Sequence, residues 1–204
     1  MIILLFRQTC RKPKARVNRG VRGLGRIGVV RKDPFYLDCL SLNGERERDR
    51  LFCRHDYRHM VLVSQISCKI IKQTGGLSKL IKTEGLNGIK SALEVVYAAG
   101  LLHDMGRWRQ YDTGEDHALA GSVMAGSVLK RAGFSEREAV VITRAIREHR
   151  KTLPGQSYLG RVLCLADDLS RPCGSCSSRL DCYKYEYMEN IKTRNRTGYE
   201  LDAG

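Results

Sequence analysis

The stretch that decides the fold is Ala92-Leu-Glu-Val-Val-Tyr-Ala-Ala-Gly-Leu-Leu-His-Asp-Met-Gly106. Ala92, Val95, Val96, Ala99 and Leu102 recur at spacings of three and four, which on a helix places them along one face. Gly106 is a suitable residue for ending such a helix, because glycine takes the left-handed conformation of a C-terminal cap without steric cost. The pair His103-Asp104 falls at the end of the apolar run, with His103 in line with Ala99, Val96 and Ala92.

Working outward, Met60, Val63, Ile66 and Ile70 form an earlier stripe of the same period. A glycine-punctuated connection, Gly75-Gly76 to Gly88, separates the two and has room for a short helix. Downstream, helices are predicted at about 116–131, 135–149 and 157–170, the second opened by a capping box of Ser135 and Glu138. Arg171-Pro172 ends the last. The pattern is helical from residue 46 onward and no alternating strand pattern competes, so the chain is predicted to be all-α.

At 204 residues the chain fits one domain that buries a core without disulfides. Its formal charge of +14 is concentrated. Residues 1–32 hold ten Lys or Arg, no acid, and four glycines, and are read as a disordered basic arm or a stretch without a role. Residues 33–172 form the domain, and 173–204 a cysteine-containing segment and tail. Met1–Phe6 is too short an apolar run for a signal sequence, and no run is long enough to span a bilayer. The expectation is a soluble, cytoplasmic protein whose eight cysteines are reduced thiols or metal ligands.

The five histidines are His55, His59, His103, His117 and His149. His59 lines up with Val63, Ile66 and Ile70; His117 with Gly121, Met124 and Val128; His149 with Ala145 and Ile142; Asp167 with Leu163 and Gly160. Four histidines and an aspartate thus sit on the inner edges of five helices, with Asp104 next to His103. Burying them is costly unless something pairs them, and a metal would do so. Taken alone, these residues fit core histidines and a metal centre about equally.

The segment Ala98–Arg107 resembles the signature of the HD superfamily, an apolar helix running into His-Asp, a hydrophobic residue and Gly. His59, followed by Val63 and Ser64, resembles the family's upstream His, and Asp167, in Leu165-Ala-Asp-Asp-Leu-Ser-Arg171, its final Asp. The resemblance covers about residues 33–183 and implies an HD-type helical bundle acting as a metal-dependent phosphohydrolase. It implies one ion on His59, His103, Asp104 and Asp167. His117 and His149 resemble the added ligands of dinuclear members, such as symmetrical diadenosine tetraphosphatases, with Asp104 bridging to a second ion. The metals implied are Mn, Fe, Ni, Co or Zn, and the substrate a nucleotide or related small phosphorylated metabolite.

His103, Asp104 and Arg107 are the candidate catalytic residues. Arg107 stands where many members have Lys, and its rigid fork suits bidentate phosphate contact. His55 competes with His59, four residues on and on the same helix face, and is otherwise an outer or phosphate-contacting group or a surface residue; Asp168 competes with Asp167, which directly follows Ala166. Arg150 and Lys151 read as an ordinary helix end or as phosphate contacts, Trp108 and Tyr111 as core or base-stacking aromatics.

Cys173-x2-Cys176-x5-Cys182 follows the last predicted helix and reads either as three reduced thiols in a small cap or as ligands of a structural zinc or an iron–sulfur group, with no evident fourth ligand but Cys164 nearby. Two rival functions use the same fold: a dinuclear iron oxygenase, and a non-catalytic regulatory module docking on nucleic acid through the basic arm.

Overall fold

In a computed structural model of the protein, residues 25–150, 154–196, 198, 199 and 201 are described. Ten α-helices and no strand occur among them. The all-α expectation holds. At the centre is α5 (Gly88–Leu102), buried almost all round from Ser91 to Leu102. A helix apolar on every side belongs in the middle of a bundle. Packed around it are α3 (Tyr57–Gln73), α4 (Gly76–Glu84), α8 (Glu136–Glu148) and α9 (Tyr158–Leu169), with α7 (His117–Arg131) against α8. At Gly100 α5 runs close against α3, and a Cβ there would stand 2.5 Å from the Ser64 Cα.

Local chemistry sets the helix starts. Asp56 caps α3 by accepting from the His59 backbone N–H, and Asp116 caps α7 through Ala118 and Leu119. The Ser135–Glu138 capping box of α8 is present. The α5 helix stops at Leu102, earlier than Gly106 suggests, and residues 103–106 turn the chain into α6 (Arg107–Thr113).

A helix that periodicity did not predict supports the end of α5. From α2 (Pro34–Arg46), the Tyr36 hydroxyl donates 2.9 Å to the Leu101 carbonyl, and the Asn43 amide donates 2.9 Å to that of Asp104. Asn43 Oδ1 accepts from the Trp108 backbone N–H at 2.7 Å. Carbonyls that a helix end leaves unpaired are satisfied in this way.

Part of the stretch expected to be a disordered basic arm is folded. Residues 25–32 are folded: α1 (Gly25–Val30) buries Ile27 and Val30, and its Arg26 binds Glu94 of α5 and Glu138 of α8. Both apolar burial and this clamp escape a reading based on charge and glycine content. Residues 1–24 lie outside the described residues. At the other end, two 3-10 turns, Cys173–Ser175 and Arg179–Asp181, lead to α10 (Tyr185–Arg194), which buries Met188.

Candidate metal centre

Every candidate ligand but Asp104 sits at or near a helix end. His59 is in the first turn of α3, His117 opens α7, His103 and His149 follow the last residues of α5 and α8, and Asp167 lies in the last turn of α9. The bundle brings these ends together. His59, His103, Asp104 and Asp167 form one group, and Asp104, His117 and His149 a second, each with its ligand atoms within 4.8 Å of one another.

In the first group, His59 Nε2 lies 3.3 Å from His103 Nε2 and 3.2 Å from Asp167 Oδ1. His103 Nε2 is 3.3 Å from Asp104 Oδ2. Four ligands around one ion with bonds of 2.1 Å would be about 3.4 Å apart, so these spacings suit a single divalent metal. In the second, Asp104 Oδ1 is 3.1 Å from His117 Nε2 and 3.6 Å from His149 Nε2. One carboxylate thus faces both groups, a different oxygen to each.

The ring protons are held on the outside. His103 Nδ1 donates to the Gly100 carbonyl at 2.8 Å and His149 Nδ1 to the Ile146 carbonyl at 2.6 Å. His117 Nδ1 donates to Gln110 Oε1 at 2.5 Å. Ser170 Oγ gives its own proton to the Asp167 carbonyl and so accepts from His59 Nδ1 at 3.2 Å. Each Nε2 lone pair therefore points inward, the tautomer a metal requires. Both Asp104 oxygens are buried without a hydrogen bond. Such a carboxylate is costly unless a cation completes it. The donor set fits a divalent metal.

The electrostatics agree. Burial opposes charge on both aspartates, yet His103 and neighbouring cations hold Asp104 well below the usual carboxylate range, and Arg171 does the same for Asp167. Burial also opposes a charged His103, but Asp104 and Asp167 outweigh it and push its pKa up to about 9. The cavity attracts positive charge, and a proton competes there with a metal.

His55 differs from expectation. It lies in the loop before α3, so it shares no helix face with His59, and it is buried rather than at the surface. Its Nδ1 donates to Glu47 and its Nε2 accepts from Arg107 Nη2 at 2.8 Å. Burial pushes its pKa down to about 4 and keeps the ring neutral. Tyr111 also donates to Glu47, at 2.7 Å. Glu47, His55 and Arg107 thus form a chain that holds the guanidinium beside the His117 ring. Glu47, Gln110, Ser170 and Arg171 carry no signal in helical periodicity.

Other candidates fall elsewhere. Asp168 accepts from Tyr187 of α10. Arg150 pairs with Asp116, and Lys151 lies outside the described residues. Trp108 packs against the core. The thiols of Cys173, Cys176 and Cys182 do not converge as a three-ligand zinc site. The chain turns twice between the first and last, and burial pushes the Cys173 thiol up in pKa.

A family model described as HD domain matches residues 56–171, more than half of the chain and all the residues of both groups. The chain belongs to the HD domain family. An uncharacterized protein of Clostridium beijerinckii is 28% identical over 169 residues, covering 83% of this chain and 98% of its own. Ribonuclease Y 1 of Pediococcus pentosaceus is 26% identical over 155 residues, 70% of this chain but 28% of the ribonuclease. A crystal structure of a predicted HD superfamily hydrolase from an uncultured Thermotogales bacterium is 24% identical, covering 80% of this chain and 78% of its own, with a TM-score of 0.45. The HD match begins after α1 and α2, so these two helices lie outside it.

Proposed function

We propose that the protein is a metal-dependent phosphohydrolase acting on a nucleotide or related small phosphorylated metabolite, with two divalent ions sharing Asp104. The observation that carries this reading is Asp104 itself, a buried carboxylate without hydrogen bonds, faced by inward lone pairs of His103, His117 and His149. His59, His103, Asp104 and Asp167 would hold one ion, and Asp104, His117 and His149 the other. The metals would supply an activated water and polarise a phosphoryl oxygen. Arg107, aimed by His55 and Glu47, binds a non-reacting phosphate oxygen and neutralises its charge. Arg171 holds Asp167 in place at 2.6 Å. The partial likeness to a ribonuclease supports phosphoester chemistry, since RNA cleavage acts on such bonds.

The test is to replace His103 and Asp104 separately with Ala, measure bound metal, and screen phosphate esters with Mn, Fe, Ni and Co. Loss of both metal and hydrolysis supports the reading. Unchanged metal content in either variant rejects it.

A further inference from the structure

A cavity of about 580 Å³ lies between the loop ahead of α3 and the C-terminal segment. Cys53, Cys173, Cys176 and Cys182 all line it. Cys53 is 120 to 129 residues from the other three in sequence, so only folding supplies it as the fourth thiol missing from the Cys-x2-Cys-x5-Cys run. All four are free. Ser178 Oγ donates to the Leu51 carbonyl at 3.1 Å and ties the two walls together.

Two observations describe what such a site would hold. First, no three of these thiols lie within 4.8 Å of one another. Thiolates on one zinc, with bonds of about 2.3 Å, must be closer than that. A group in which sulfide bridges several irons attaches each thiolate to a different iron, and so holds the thiolates farther apart. Second, the lining is cationic. Arg54, Arg58, Arg171 and Arg179 border the cavity against one acid, Asp56. Arg171 is buried and interacts electrostatically with Cys53 as well as with Asp167. Four thiolates around a cluster carry net negative charge, which these arginines would offset.

We propose that Cys53, Cys173, Cys176 and Cys182 bind an iron–sulfur cluster, one thiolate from the loop before α3 and three from the C-terminal segment. The cluster staples that segment to the domain. Four thiolates replace the labile ligands of a cluster of mixed ferrous and ferric iron, which releases the thiol protons and, with iron supplied in both states, involves no electron transfer. This inference does not depend on the function assigned to the histidine centre.

The test is anaerobic reconstitution of the full chain with equal amounts of ferrous and ferric iron and with sulfide, followed by desalting and analysis of acid-labile sulfide and the visible absorption of sulfide-bridged iron. The wild type should retain sulfide and the absorption. Cys53→Ser should lose at least half of both, while Cys68→Ala, which changes a half-buried thiol away from the cavity, and His103→Ala should retain them. Binding of zinc without sulfide, or no bound sulfide in the wild type, overturns the proposal. So does a Cys53→Ser protein that keeps the full amount. Should Cys53→Ser fail to fold, Cys176→Ser gives the same readout. An Arg-lined cavity that takes only phosphate, seen as inorganic phosphate binding without sulfide, is a further overturning result.

Discussion

His59 Nε2 and His103 Nε2 face each other at 3.3 Å, each with its ring proton committed on the opposite side. Two lone pairs in that position repel unless a cation lies between them. A metal held there would bind the folded protein and not the unfolded chain in this geometry, and so would add to stability. At a metal concentration about a hundred times the Kd, the gain is about 2.7 kcal/mol. Stripping the metal with a chelator should lower Tm by about 5–10 °C for a domain of this size. Differential scanning calorimetry with and without metal checks this, and His103→Ala should remove most of the difference.

Arg107→Ala should leave metal content unchanged while lowering kcat/KM for a phosphodiester by about 100-fold, the usual effect of losing one charged stabiliser. His55→Ala should show a smaller loss in the same direction, because Arg107 keeps its charge but loses its aim. Metal analysis and steady-state kinetics on the same preparations distinguish this from collapse of the site.

Glu138 makes stability pH-dependent at the other end of the molecule. Burial would raise its pKa, but bonds from Arg26, Ser91 and Ser135 outweigh it and bring the value down to about 2. A depressed carboxylate contributes stability above its unfolded pKa, near 4.5, and that contribution is lost as pH falls towards about 2. Glu138→Gln should cost about 2 kcal/mol at pH 7, as expected for losing hydrogen bonds to a charged group. The gap from wild type should narrow below about pH 4.5. Guanidinium unfolding followed by circular dichroism across that range measures it.

The long helices were legible because their apolar residues repeat with helical period. The convergence of the candidate ligands was legible because that period also gave the faces of His59, His103, His117, His149 and Asp167. What escaped was chemistry outside a stripe. Asn43 of α2 is a buried polar residue whose value lies in one donor and one acceptor, which no periodicity reports. His55 is in a loop, so a helix-face argument misplaced it. Arg26 looked like part of a basic tail because its partners, Glu94 and Glu138, are far away in sequence. The Cys53 side of the thiol-lined cavity was hidden for the same reason.

Gly100 and Asn43 give two tests of the bracing around His103-Asp104. Gly100→Ala would drive a Cβ against the Ser64 backbone, and an overpacked contact of this kind costs about 1–3 kcal/mol. Asn43→Ala should cost about 1–3 kcal/mol by stranding the Asp104 carbonyl and the Trp108 N–H. If Asn43 also positions the turn, metal affinity should fall by about 10-fold, the lower end for outer partners of a metal ligand. Isothermal titration with Mn separates that effect from stability alone.

The placement of ligands at helix ends bears on which length changes the protein tolerates. Inserting one residue within α3, α5, α7, α8 or α9 would rotate everything beyond it by about 100°, swinging a ligand relative to its own helix's core face. The same insertion in the Gly85–Asn87 connection leaves every helix in phase. Relatives should therefore differ in length between helices and keep a fixed count from core stripe to ligand within them.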